Sequence, residues 1–340
     1  VDQLLADIPM PEPPLVTNPE QDGVGAAGET WVDKPYAEGA ANQLSYNSRR
    51  RSLYGWLAQQ MMEEGISARE TMVLFWHNHF AITPLFEPKY AYRYLTTLTA
   101  HAFGDFRQLV KDITIDPMML RFLNGNQNTA VAPNENYARE LLELFTIGKG
   151  PQVGAGDYTF FTEEDVIAMA KSLTGWRDYG YRSARDGALG SLFVGARHDR
   201  STVTLSHRFG NRQLASSGEQ TYSDLVDIIL EQDEVARFIV RKLYRWFVYY
   251  DISEQTEAEV IEPLATLFRD SNYQIKPVLR TLLTSEHFFD VLSQGPMIKH
   301  PLDFTFGLFR TLEIPYQGTP AQLESLFIAI LTFSAQIGMA

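Results

Sequence analysis

His77 and His79 lie two residues apart in the stretch LFWHNHF, among large apolar side chains. Imidazole nitrogens bind divalent metals and exchange protons near neutral pH, so this pair is a candidate for chemistry. In a strand both rings would share one face, but the flanking sequence ARETMVLFWHNHF indicates a helix, where two residues correspond to about 200° of rotation. We therefore expect one ring to face a site, as a metal ligand or catalytic group, while the other makes a structural hydrogen bond. The alternative is that both are core histidines with satisfied nitrogens.

A second set of polar side chains lies in APNENYARELLELFTIG, residues 132–148. Asn136, Glu140 and Glu143 form a stripe at helical spacing beside an apolar stripe, and Arg139 can pair with Glu143 four residues later. Two carboxylates one turn apart on one face suit a metal or an acid–base pair. The alternative is a solvated helix face with a surface ion pair, which contributes little to stability.

His198 and Asp199 form the third candidate, in the segment ARHDRST at 196–202. β-Branched and aromatic residues on both sides of this polar segment predict a β-hairpin over residues 190–208, with the His-Asp pair at its turn. Aspartate is a common turn former, and a histidine beside it can simply be exposed. In the alternative interpretation, Asp199 orients His198 or joins it at a metal.

These candidates can meet only if distant elements bring them together. A capping box, with Ser67 as N-cap and Glu70 three residues later, predicts a helix over 67–82. A Pro-Asn pair opens a second helix over 134–147, which ends at Gly148. Both motif helices and the hairpin turn are therefore the elements that would have to converge on one site.

The rest of the chain is also mostly helical in its pattern. Apolar residues recur at helical spacing in one segment after another, and no internal repeat of fixed period is present. We predict a mainly α fold: a multi-helix globular domain over 46–340 with a small β-hairpin insert near 190–208. Residues 1–45 are rich in proline and poor in large apolar side chains, and they predict an extended arm lying on the surface.

The composition excludes several kinds of site and partner. The net charge of −13 argues against nucleic-acid binding, which needs a basic face, and against electrostatic adhesion to anionic lipid. The absence of cysteine excludes disulfides, thiolate nucleophiles and Cys-ligated metals. No run of about 18 apolar residues occurs, so no transmembrane segment is expected. Nucleotide-binding, serine-hydrolase and HExxH motifs are missing too.

Several long motifs occur together and in a fixed order: FWHNHFA, ITIDPMMLRFLNGNQN, PNENYARELLELFTIGKGP, YTFFTEEDVIAMAKSLTGW, RHD and FIVRKLYRWFVYYDI. In these motifs the chain resembles the large bacterial family catalogued as domain of unknown function eighteen-hundred, over nearly all of residues 1–312. The family's strongest motifs correspond here to Trp76, His77, Asn78, His79, Asn134, Glu135, Asn136, Arg139, Glu140, Glu143, Thr174, Gly175, Trp176, His198 and Asp199. One departure is Val203, which stands where members usually carry a lysine.

The resemblance implies a mostly helical, exported protein, and therefore an extracytoplasmic location: periplasmic, cell-surface or secreted. Members often lie beside genes for a sulfatase-like family, which implies a protein partner of that kind. The family supplies no activity to carry over. Members also begin earlier and continue further, so we expect this chain to be an interior portion of a longer protein.

Our hypothesis is a histidine and carboxylate site formed where the two motif helices and the hairpin turn converge. The candidate metal ligands are His77 or His79, together with His198 and Asp199, and the acid–base and orienting groups would be Glu140, Glu143, Asn136 and Arg139. A divalent metal that activates water, or an oxidative metal, fits such nitrogen and oxygen ligands. The predicted reaction is metal-dependent hydrolysis or oxidation of an envelope or extracellular substrate. The alternative is a non-catalytic structural or binding subunit of a cell-envelope or surface assembly, in which the same polar residues hold helices together. The burial of these polar residues distinguishes the two functions. A solvent-reachable pocket lined by them favours the enzyme, and a dry, fully paired network favours the non-catalytic subunit.

Overall fold

Helices make up most of the chain. The computed structural model describes residues 1–291 and 297–336, so residues 292–296 and 337–340 of the predicted domain lie outside the described part. In chain order the helices are α1 (Pro19–Asp22), α2 (Ala41–Glu63), α3 (Arg69–Phe80), α4 (Pro88–Ala100), α5 (Phe106–Thr114), α6 (Pro117–Phe122), α7 (Asn136–Glu140), α8 (Glu163–Ser172), α9 (Thr221–Leu230), α10 (Asp233–Phe247), α11 (Glu254–Thr256), α12 (Glu262–Asp270), α13 (Ile275–Thr284), α14 (Pro301–Thr311) and α15 (Pro320–Gln336). A π-helical segment continues α7 (Leu141–Thr146), and a second one joins α11 to α12 (Glu257–Ile261).

Strands are few and short. Among the described residues they are β1 (Gln152–Gly154), β2 (Asp157–Tyr158), β3 (Trp176–Tyr179), β4 (Gly190–Phe193), β5 (Val203–Thr204) and β6 (Gln213–Leu214), and they form three two-stranded antiparallel sheets of consecutive strands. The prediction of a mainly α fold with a small β element is confirmed.

The pairing of the strands differs from the hairpin that the sequence suggested. β4 pairs back with β3 and β5 pairs forward with β6, so the segment 190–208 contributes to two hairpins rather than forming one. Trp176 lies opposite Phe193 across the first pair, with their ring centroids 5.7 Å apart. Such cross-strand aromatic pairs stabilise an antiparallel ladder, and this contact favours β3 as the partner of β4. The His-Asp segment therefore connects two sheets.

The core consists of a main hydrophobic cluster and a smaller second one. Trp76 of α3 is fully buried in the main cluster and stacks on Phe106 of α5, with the ring centroids 5.6 Å apart. The second cluster lies between α2, α14 and α15 and includes Met61, Phe306 and Phe327. Since α15 has apolar residues on nearly all sides, it can pack against α2 and still present side chains elsewhere.

The packing of α15 on α2 is closest at Gly55. A Cβ atom at this position would lie 3.0 Å from Cγ and 3.2 Å from Cα of Glu324 on α15. Glu324 is nearly buried there, accepting hydrogen bonds from the Thr17 hydroxyl of the arm and from Nε of Arg51 (3.2 Å). The absence of a side chain at Gly55 thus lets the two helices approach closely.

The proline-rich arm is anchored to the helical core. Trp31 and Tyr36 are fully buried, and the indole N–H of Trp31 donates to the Ser52 hydroxyl of α2 (2.9 Å). Asp22, at the end of α1, forms an ion pair with Arg49 of α2, and both side chains are excluded from solvent. The arm thus follows the surface with its backbone while its aromatic side chains are inserted into the core.

In the part of the chain that the structure describes, no helix has the length and apolar character needed to cross a membrane.

A buried carboxylate, Glu64, lies where α2, α3 and α14 meet. Its Oε1 accepts the backbone N–H of Glu70 (2.7 Å), and its Oε2 lies 3.6 Å from Nη1 of Arg310. The side chain is almost fully buried, and burial raises the pKa of Glu64 from its ordinary 4.5 to about 7. Because the pKa of Glu64 is higher in the folded state than in the unfolded state, its contribution to the free energy of unfolding is complete below about pH 4.5 and is lost as the pH rises to about 7.

Glu64→Gln is expected to reduce this loss of stability at alkaline pH. The amide can still accept the Glu70 N–H but cannot ionise, so the free energy of unfolding at about pH 8 should rise by up to roughly 3 kcal/mol, and by less at about pH 5. Urea denaturation at both pH values measures the difference, with the exposed neighbour Glu63→Gln as control. If the free energy of unfolding changes between the two pH values in Glu64→Gln as it does in the wild type, the raised pKa of Glu64 is contradicted.

Candidate functional site

His79 is fully engaged inside the protein. Its Nε2–H donates to the carbonyl oxygen of Phe145 (3.0 Å), and the ammonium of Lys242 on α10 donates to its Nδ1 (3.1 Å). Burial lowers the pKa of His79 well below its usual range, and the nearby ammonium lowers it further. Lys242 also donates to the carbonyl oxygen of Leu144 (3.0 Å). The i→i+5 pattern leaves carbonyl groups at the end of the π-helical segment without a hydrogen-bond donor inside the helix. His79 and Lys242 together supply donors to these carbonyl groups.

The carboxylates of the second motif belong to a surface network centred on Arg139. The guanidinium forms a two-point ion pair with Glu163 of α8 (2.9 and 2.7 Å) and lies 3.2 Å from Glu135 and 3.7 Å from Glu143. Glu143 also accepts from Lys149 (3.0 Å). Arg139 thus connects α7 to α8, and this geometry matches the surface ion pair that was the alternative interpretation.

Glu140 and Asn136 take no part in this network. Glu140 is half-buried, and no described residue forms a hydrogen bond or an ion pair with its carboxylate. Partial burial and the neighbouring Glu143 raise the pKa of Glu140. Asn136 is exposed at the start of α7, where its backbone N–H donates to the Asn134 side chain (2.9 Å).

His198 is buried between the end of α8 and the segment that precedes α9. Its Nδ1–H donates to the carbonyl oxygen of Thr174 (2.8 Å), and its Nε2 forms a hydrogen bond with the Ser216 hydroxyl (2.8 Å). The Asp199 carboxylate accepts from the backbone N–H and the hydroxyl of Ser201 (2.8 and 2.6 Å), as in an Asx turn. The hydrogen bond of Ser201 lowers the pKa of Asp199.

The structure does not bring the predicted ligands together. His79 faces the main core, Arg139 pairs with Glu163 of α8 at the surface, and His198 lies beyond the end of α8. Within residues 1–291 and 297–336, no group of three or more His, Cys, Asp or Glu side chains is placed to hold a metal ion. The metal and catalytic roles of these residues stay a prediction that the geometry does not support.

His77 is placed differently, in the wall of a half-open cavity of about 650 Å³. The cavity lies where the main core meets the second cluster, between α2, α3, α15 and the segments around Pro84 and His300. Asn78 lies beside His77 in the same wall. His77 thus lines a cavity while His79 makes structural hydrogen bonds, and the role of His77 as a metal ligand or catalytic group stays a prediction.

Most of the cavity wall is apolar. Leu57, Leu74, Leu95, Trp246, Ile328 and Leu331 contribute aliphatic and aromatic surface from five helices. Burial lowers the pKa of His77 to about 4 and also lowers the pKa of His300. The ring of His77 is therefore uncharged at neutral pH.

Sequence reasoning missed most residues of this wall. His300 has no recognisable context in the sequence, and Trp246 reads as an ordinary core residue of α10. One signal was available, because the segment LFIAILTF of α15 is apolar on every side, although a helix at the surface of a domain usually has a polar face.

Comparison with known proteins identifies the family alone. No curated protein and no solved structure matches the chain. A family described as a protein of unknown function, DUF1800, matches residues 2–339. Since this match covers nearly the whole sequence, as the motif resemblance led us to expect, the chain belongs to the DUF1800 family.

Proposed function

We propose that this protein is a non-catalytic binding protein that holds an apolar small molecule in the cavity beside His77. The observation that carries the proposal is the cavity itself, with a volume of about 650 Å³ and a mainly apolar wall. Small-molecule sites are typically clefts of roughly 300–1,000 Å³ lined by apolar and aromatic side chains with a few polar groups. His77, Asn78 and Thr332 supply such polar groups here.

The binding function has more support than the predicted metal-dependent hydrolase or oxidase. Both ring nitrogens of His79 and of His198 are bonded to protein groups, and the Arg139 guanidinium pairs with Glu163. These side chains stabilise contacts between elements, as the alternative of a non-catalytic subunit requires. A metal site would need at least some of their nitrogens to be free.

We place this binding function outside the cytoplasm, in a cell-envelope or surface assembly, because the family resemblance implies export. The sulfatase-like partner implied by the same resemblance would then be the protein that delivers or receives the bound molecule.

Binding of the uncharged fluorophore N-phenylnaphthylamine tests the proposal. The wild-type protein should enhance its fluorescence with saturable binding. Thr332→Trp should weaken binding about tenfold or more, a change of about 1.4 kcal/mol, because the indole would occupy the cavity. Ser325→Trp is a matched control, since Ser325 lies on the same helix outside the cavity wall and, like Thr332, is exposed and donates its hydroxyl hydrogen to the carbonyl four residues earlier.

Two results would reject the binding function. One is a wild-type protein that does not enhance the fluorescence, and the other is an equal loss of binding in both tryptophan variants. Circular dichroism of the three proteins shows whether the substitutions leave the helices intact.

A further inference from the structure

We infer that the cavity selects an uncharged ligand, of the class of an aliphatic chain that ends in a hydroxyl or carbonyl oxygen. This inference rests on the proposed binding function and specifies its ligand class. It follows from the charge of the cavity wall and from the hydrogen-bonding groups that the wall presents.

The wall carries no permanent charge. Among the described residues that line the cavity there is no Asp, Glu, Lys or Arg. The nearest acidic side chain on α14 is Asp303, whose carboxylate influences His300, but Asp303 lines a separate cavity of about 20 Å³ together with Glu64 and Arg310. A charged head group would therefore lose its hydration without meeting an opposite charge, and this desolvation disfavours both anions and cations.

The polar groups of the wall suit a neutral oxygen. His77 has a single contact with a described polar side chain, between its Nδ1 and the Tyr94 hydroxyl at 3.4 Å, which is a weak hydrogen bond. No described residue bonds its Nε2 or the side chain of Asn78. Because burial lowers the pKa of His77 to about 4, the ring is neutral and offers one donor and one acceptor. An imidazole and an amide can together bind a hydroxyl or a carbonyl oxygen.

Aliphatic competitors that differ only in the head group test this selectivity. Dodecanol, dodecanoate and dodecylamine each compete with N-phenylnaphthylamine for the wild-type protein at neutral pH, below the solubility limit of dodecanol and the micelle concentrations of the two ions. We expect dodecanol to bind at least about tenfold more tightly than either ion. Equal binding of the three compounds, or tighter binding of an ion, would overturn the inference and leave the binding function intact. Failure of the fluorophore itself to bind would instead reject the binding function.

Charged variants of Thr332 provide the second arm. Thr332→Lys should shift the preference toward dodecanoate and Thr332→Glu toward dodecylamine, each by about tenfold, because the new charge would pair with the opposite head group. Ser325→Lys and Ser325→Glu, on the same helix outside the cavity, should keep the preference of the wild type. If the Thr332 and Ser325 variants respond alike, the head group is not bound in this cavity and the inference is wrong.

Discussion

Asp22→Ala is expected to lower the free energy of unfolding by about 3–5 kcal/mol, because it leaves the guanidinium of Arg49 buried without its counter-ion. In the wild type, Nε and Nη2 of Arg49 donate to the two carboxylate oxygens of Asp22 (2.7 and 3.3 Å), and Nη1 and Nη2 also donate to the carbonyl oxygens of Lys34 and Pro35 (3.0 and 2.7 Å). Denaturant unfolding followed by circular dichroism measures the loss.

Two comparison variants separate the buried charge from a general effect on the arm. Asp2→Ala removes an exposed partner of Arg280 and should change stability little, since exposed ion pairs contribute about 0–1 kcal/mol. A double variant, Asp22→Asn with Arg49→Met, removes both charges and should be more stable than Asp22→Ala alone. If Asp22→Ala were as stable as Asp2→Ala, the pair would not be buried as described.

The second large effect is expected for His198→Ala, with a loss of about 2–4 kcal/mol. The substitution leaves the carbonyl of Thr174 without this donor and the hydroxyl of Ser216 with the backbone N–H of Gly218 alone (3.3 Å), and it creates a cavity at a position that is 6 % exposed. His207→Ala is the control, since the side chain of His207 is 59 % exposed and should tolerate the change. Thermal unfolding of both variants gives the comparison.

His198→Asn refines this prediction. The amide nitrogen of asparagine can take the place of Nδ1 and donate to Thr174, so part of the stability should return. Elemental analysis of the same proteins tests the opposite assignment. A His198→Ala protein that keeps its stability but loses copurifying metal would support the predicted metal site and contradict the structural role.

The helices were predictable because their signals are local. Thr162 and Asp165 form a capping box at α8. α3 begins at Arg69, two residues after the predicted start, but the capping box predicted there is wrong: Ala68 is the N-cap, and the Ser67 hydroxyl accepts the N–H of Arg69 instead (3.0 Å). The strand partners were not predictable from the segment 190–208, because β4 and β5 are each stabilised by residues outside it. Short strands depend on cross-strand contacts more than on their own sequence.

The different surroundings of the two histidines could also be predicted from the sequence. The helical rotation separates His77 from His79, and the structure gives one of them structural bonds and the other a cavity wall. The convergence of three motifs on one site was an assumption about distant contacts, which spacing within a motif cannot test. The cavity itself forms between helices that are more than 200 residues apart in the chain, α3 and α15, so no local pattern could have located it.

The contact at Gly55 has a consequence for the width of the cavity. Gly55 is not part of the cavity wall, yet it sets how near α15 can come to α2, and α15 carries Ile328, Leu331 and Thr332 into that wall. A methyl group at position 55 would push α15 away from α2 and so move one wall of the cavity outward by a few tenths of an ångström or more. The width of the cavity thus depends on Gly55, a residue that does not line it.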